Sequence, residues 1–221
     1  IFSKDLRFSD ESGNPYPKWQ AKKVGQVYSF KSTNSLSREH LISKDGDVKN
    51  IHYGDIHTKF QTLFDVTREE VPYINKSVSL EKVSEDNYLQ VKDMIFADAS
   101  EDLNDVGKSI EITNLNDQKV LSGLHTILAR PQSSVFSSSF GGYLFKSSEV
   151  RIQIKKIAQG SKVLSISSSR LSNVEISIPE LGEQAKIADF LSSIDNKVET
   201  ESQLLQKLEA QKKFLLQQLF V

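Results

Sequence analysis

Two histidines and an aspartate fall within six residues of the stretch "IHYGDIHTKF", Ile51 to Phe60. Imidazole and carboxylate groups ligate metals and move protons, so chemistry would be sought here first. The spacing argues otherwise. His52 and His57 are five residues apart, on different faces of a helix and on opposite faces of a strand. Asp55 follows Gly54, a pair that makes a turn rather than a ligand cage. Further metal ligands would have to come from His40 and His125, and the chain has no cysteine. The expectation is a strand that enters a Gly-Asp turn and leaves through "IHTKF", with polar side chains at an exposed edge. No metal ligand and no catalytic residue is assigned.

Other chemical motifs fare no better. "GNPYP" has the wrong order for the Asn-Pro-Pro-aromatic element that holds a target amine in amino-methyltransferases, and reads as a turn. "FGGYLF" lacks the glycine spacing of a dinucleotide or phosphate cradle. Serines are abundant, but no Gly-x-Ser-x-Gly elbow exists. They cluster in "SSVFSSSF" and "SKVLSISSSRLS" near basic residues. Such loops can contact phosphates and base edges, and are equally ordinary surface loops.

The elements that must position these groups divide into two kinds. Across residues 19–178, short runs rich in Val, Ile, Phe and Ser/Thr alternate with turn residues: "GQVYSF", "KSVSL", "DMIFAD", "SIEIT", "HTILARP", "VRIQI" and "VEISIP" read as strands. "SLSREHLIS" and "SSSFGGYLFKSSEV" read as short helix or loop. Residues 1–18 read as a connector, and 179–221 as one long helix after Pro179. From Glu183 onward Gly and Pro vanish. Stepping alternately by four and three gives Ile187, Leu191, Ile194, Val198, Glu201, Leu205, Leu208, Lys212, Leu215 and Leu219; eight of these ten positions are apolar, a coiled-coil seam. At 1.5 Å per residue the helix runs roughly 55–60 Å, too long to be covered by the rest of the chain, so a partner helix is expected. The fold class expected is α+β, a strand-dominated mixed domain followed by one long helix.

Composition narrows the function classes. The absence of cysteine excludes disulfides and thiolate–metal sites and fits a reducing cytoplasm. No apolar run reaches the roughly 20 residues of a membrane span and no signal peptide is visible. The chain starts with Ile1 rather than Met, as a processed or excised end would. Net charge is −1, but residues 65–118 carry 5 basic and 13 acidic side chains (net −8) and residues 119–178 carry 8 and 2 (net +6). These segments either form opposite faces or neutralise each other across the fold.

Taken in order, "LRFSDESGNPYPKW", "IHYGDIHTKF", "GLHTILARP" with Pro131, "IAQGSKVLSISSSRLSNVEISIP" around Gly160 and Pro179, and "EQAKIADFLSSIDNKVE" continuing to "LEAQKKFLLQQLF" resemble a type I restriction–modification specificity subunit over nearly the whole chain. The resemblance implies a non-catalytic subunit without a cofactor. It implies a target-recognition domain that binds double-stranded DNA, a spacer helix, methyltransferase subunits that use S-adenosylmethionine, and an ATP-driven endonuclease–translocase subunit as partners. In this family the Gly-Asp-Ile element is structural. A full subunit carries two recognition domains and two helices, whereas this chain has one of each: either half of a longer protein or a half-length subunit that forms a homodimer. DNA contacts are expected from loops, with Lys31, Ser32, Asn34, Arg38, Lys59, Lys162 and Arg170 as candidates, and helix pairing from Ile187, Leu191, Ile194, Val198, Leu205, Leu208, Leu215 and Leu219. The alternative is a coiled-coil adaptor whose head binds protein. An enzyme has only the histidines behind it.

Overall fold

Met94, Ile95, Phe96 and Ala97 are all buried, so the strand they form is covered on both faces. Successive strand side chains point to opposite sides. Met94 and Phe96 accordingly enter one hydrophobic cluster, and Ile95 and Ala97 the other. This strand is the middle of a five-stranded sheet ordered Tyr28–Lys31, Thr126–Pro131, Met94–Ala97, Ser109–Asn114, Leu63–Asp65. All its neighbours are antiparallel except the last pair. The computed structural model describes all residues except Ser133, Phe220 and Val221. The end of the expected helical segment and one residue of the serine cluster thus lie outside the described residues.

A second sheet, ordered Val120–Ser122, Lys49–Ile51, Tyr73–Ile74, Leu41–Ile42, lies beside the first, and Gln20–Lys23 pairs with Glu175–Ile178. The helices are α1 (Val24–Val27), α2 (Tyr53–Thr58), α3 (Phe140–Leu144), α4 (Ser148–Ile157), α5 (Ser168–Leu171) and α6 (Leu181–Leu219). The architecture is α+β, strand-rich, with the long C-terminal helix in place.

Three sequence readings are corrected. "VRIQI" alternates like a strand, yet it lies in α4: Val150 and Ile154, one helical turn apart, are buried, while Ile152 is 52% exposed. Glu149 in its first turn and Lys155 and Lys156 in its last suit the helix dipole, the signal that the alternation outweighed. "KSVSL" forms turns rather than a strand, and "GQVYSF" begins with the helical turn α1 before its strand.

The glycine pair of "FGGYLF" serves packing. A Cβ on Gly141 would lie 3.0 Å from the Tyr28 hydroxyl, and one on Gly142 2.9 Å from Leu63. This closeness lets the Ser139 and Gly142 N–H groups donate to the buried Glu111 carboxylate at 2.6 and 2.7 Å. Burial outweighs those bonds and raises the Glu111 pKa from 4.5 to about 7. Between those values the folded state holds more protons than the unfolded, so the group's contribution is intact below about pH 4.5 and is lost as pH rises through about 7. The unfolding free energy of the wild type, read from urea titrations, is therefore expected to fall from pH 5 to pH 8 by about 2–3 kcal/mol relative to Glu111→Gln. The variant carries a constant offset, since an amide nitrogen must face one of the two donors. Parallel pH profiles would show that Glu111 does not titrate in this range.

α6 is held along its first half. Glu183 takes Arg7 and the Trp19 indole, Gln184 takes the Ser137 N–H, Ile187 and Ala188 enter the core, and Phe8 packs edge-on against Phe190. Tyr143 donates to Asp195 at 2.8 Å, and Arg68 pairs with Glu199. Beyond Glu199 the helix side chains are exposed for roughly 30 Å. No helix among the described residues is long and apolar enough to cross a membrane.

Candidate nucleic-acid interface

The strand Lys49–Ile51 runs into α2, not into a Gly-Asp turn at an exposed edge. His52 stands at the N-cap and its Nδ1 accepts the Gly54 N–H at 3.2 Å. That bond satisfies a donor which the helix itself cannot. Burial, and then the nearby Arg38, hold the imidazole pKa below its ordinary value, so His52 stays neutral and able to accept. His57 Nε2 lies 3.0 Å from the Ala99 carbonyl, and His125 Nδ1 lies 3.2 Å from Asp98. Tyr53 sits between these rings, with centroids 4.6, 6.0 and 5.3 Å from His52, His57 and His125. The imidazoles are thus spread around an aromatic ring rather than converging on a point.

Asp55 is fully buried, contrary to the expected exposed edge. Its Oδ1 accepts from Arg38 Nη2 at 3.0 Å and forms an ion pair with Lys59 Nζ 3.2 Å away. Two of the expected DNA-contacting residues therefore share one carboxylate. Asn34 joins the same region, donating to Asn50 Oδ1 at 2.6 Å. Ser32 and Asn34 also line a cleft of about 350 Å³ with Ser79, Lys82 and Asn87. Those last three were not foreseen, because their segment approaches the Ser32–Leu36 loop only through the tertiary fold. Lys31 is paired with Asp86 at 2.5 Å, which also takes Arg130. Lys162 and Arg170 lie apart, in the loop after Gly160 and in α5; no hydrogen bond or ion pair among the described residues ties them to the other five.

The two oppositely charged segments meet in specific pairs. Arg130 holds Asp93 through two bonds of 2.9 and 2.8 Å, and Lys119 lies 3.7 Å from Glu85. Part of the basic charge of 119–178 is therefore spent within the fold, on Arg130 and on Arg151, which donates to the carbonyls of Asn104, Val106 and Gly107. Of the expected helix-pairing residues, Ile187 lies wholly inside the core and Leu191 packs against it, whereas Ile194, Val198, Leu205, Leu208, Leu215 and Leu219 are exposed.

The family described as "Type I restriction modification DNA specificity domain" matches residues 16–210. The chain belongs to that family. Among solved structures, the S subunit of the type I restriction–modification system of M. genitalium superposes with a TM-score of 0.57 at 16% identity, covering 91% of this chain and 44% of that one. A chain solved in work on complex assembly and conformational transition of a type I R-M system gives 0.59 at 17% identity, covering 94% and 46%. The HsdS subunit from Thermoanaerobacter tengcongensis gives 0.55 at 16%, covering 87% and 41%. These likenesses establish the specificity-subunit fold, and this chain spans under half the length of each of the three structures.

Proposed function

We propose that this specificity chain reads one half of a bipartite duplex target with its strand-rich head and presents the adjoining adenine to partner subunits that perform the chemistry. The family match along residues 16–210 carries the reading. The geometry supports it: Asn34 in a loop, Arg38 in the 3-10 turn Arg38–His40 and Lys59 at the C-cap of α2 lie at one region of the head, while α6 projects from the head with its far half uncovered. On this reading the chain itself catalyses nothing and needs no cofactor. Methyltransferase subunits supply S-adenosylmethionine, and an ATP-driven nuclease–translocase joins for restriction, all in the cytoplasm where the DNA lies. Residues 1–18 lead into the recognition domain at 19–178, and the segment from 179 onward spaces it from a second one. Arg, Asn and Ser side chains in loops suit base edges and phosphates, whereas residues 179–221, with 5 basic and 7 acidic side chains, offer phosphate no net attraction. The test is duplex binding at rising salt: affinity must fall steeply, because neutralising phosphates releases counterions. Binding that ignores salt would turn the reading toward a head that binds protein.

A finer element is how two half-sites are spanned. Antiparallel pairing of α6 with a second such helix would place two heads at opposite ends. The exposed seam at Ile194, Val198, Leu205, Leu208, Leu215 and Leu219 supports it. Burying each such side chain contributes roughly 1.5–3 kcal/mol, and left in water they form a large apolar patch. Leu205→Asp with Leu208→Asp is expected to yield a monomer with an unchanged head, since neither residue touches it. Sedimentation of the wild type as a monomer at about 10 μM or above would count against self-pairing.

A further inference from the structure

Two exposed cations on one buried carboxylate make a poor device for stability. Arg38 and Lys59 are 53% and 56% exposed, while Asp55 is wholly shielded. Exposed partners are screened and contribute little, and shielding a carboxylate costs free energy. Asp55 Oδ2, moreover, has no hydrogen-bond partner among the described residues. What the arrangement achieves is placement. Two long, flexible side chains on different segments are tethered to one oxygen, and the group as a whole keeps one net positive charge.

The chain makes room for this tether. A Cβ on Gly54 would fall 3.1 Å from Arg38 Nη2 and 3.4 Å from His52 Nδ1, tighter than ordinary contact on the guanidinium side. Gly54 also has an ordinary helical backbone with no positive φ, so its lack of a side chain is not explained by conformation. His52, kept neutral, caps α2 without adding a competing charge for Asp55. Arg38 has committed an Nη2 hydrogen to Asp55, and among the described residues its other N–H groups have no partner. A phosphodiester accepts donors from many directions and carries a single charge, so it suits this pair better than a base edge, which demands an unencumbered fork.

We propose that Gly54 and Asp55 form a seat that fixes Arg38 and Lys59 as a clamp for one backbone phosphate of duplex DNA, with Asp55 a positioning residue that touches no DNA. This rests on the DNA-reading proposal above. The experiment is titration of the full chain, with its methyltransferase partners, against a target duplex and an unrelated duplex at several salt concentrations. Arg38→Gln and Lys59→Gln are each expected to lower the slope of log affinity on log salt by about one, and to weaken both duplexes by the same factor. Asp55→Asn removes the tether but no cation, so it should weaken both duplexes without lowering the slope, and have no further effect on binding once both cations are replaced. A wild-type slope in the Arg38→Gln, Lys59→Gln variant would overturn the clamp while leaving the DNA reading intact. Equal weakening by Asp55→Asn with and without the two cations would make Asp55 merely structural. A wild-type complex that binds no duplex would overturn both proposals.

Discussion

Replacing Arg130 by Ala is expected to destabilise the chain by about 3–5 kcal/mol at pH 8, the range for orphaning one member of a buried ion pair. Asp93 has no exposed surface, and Arg130 meets it fork to fork through Nε and Nη2. The same guanidinium donates to the carbonyls of Asp86 and Tyr88 and to the Asp86 carboxylate, tying the acidic 85–93 segment to the strand Thr126–Pro131. Even with Arg130 present, burial raises the Asp93 pKa above its ordinary value. Without Arg130 it rises further, so the carboxyl becomes protonated in the folded variant at a pH where the unfolded chain is still ionised. The loss must therefore shrink as pH falls, and denaturant midpoints at pH 5 and pH 8 read the difference directly. Asp93→Leu with Arg130→Met should recover part of the loss, because removing both charges leaves no buried charge unpaired, although the Gln90 N–H and the Asp86 and Tyr88 carbonyls lose their partners. A double variant as unstable as Arg130→Ala would mean that the carbonyl contacts, not the pair, hold the segment.

Neither partner of that pair stands out in the sequence. Arg130 and Asp93 are 37 residues apart, and only the antiparallel register of Thr126–Pro131 against Met94–Ala97 makes them neighbours. Legible features were those whose signal is local. "DMIFAD" reads as a strand because its apolar run is short and bounded by Asp on both sides, and α6 reads as a helix because its apolar period persists over nine or so turns. "VRIQI" misled because apolar residues at 150, 152 and 154 fit period two as well as the helical pair 150 and 154, and five residues are too few to separate them. The reading of "IHYGDIHTKF" went wrong for a related reason. Gly-Asp is a frequent turn pair, and nothing in the ten residues reveals that Arg38 would arrive to neutralise a buried Asp55. The seam of α6 shows the opposite limit. Its heptad register runs unbroken through Ile187, although there it faces the chain's own core and only farther along faces outward. The pattern records that a face is apolar, not what covers it.

That division of α6 gives weight to its base, where Glu183→Ala is expected to cost about 3 kcal/mol and to loosen the N-terminal segment. Glu183 is fully buried and accepts Arg7 Nε at 3.0 Å, Arg7 Nη2 at 2.6 Å and Trp19 Nε1 at 3.0 Å. Arg7 also donates to the carbonyls of Tyr16 and Pro17, so a single guanidinium joins the segment before the first strand to the start of the long helix. Removal of the carboxylate leaves the Trp19 N–H unpaired, and hydrogen bonds to charged groups contribute more than neutral ones. Arg7 is about a quarter exposed and can turn to water, which places the cost at the low end for buried pairs. Limited proteolysis separates this from general destabilisation: cleavage within residues 1–18 should rise under conditions where the head resists. If α6 sets the distance between two heads, the same variant should also blur that distance, since a helix anchored by fewer bonds at its base swings more freely. Unchanged proteolysis of the N-terminal segment would show that Phe2 and Phe8, which pack against the core and Phe190, hold it without the ion pair.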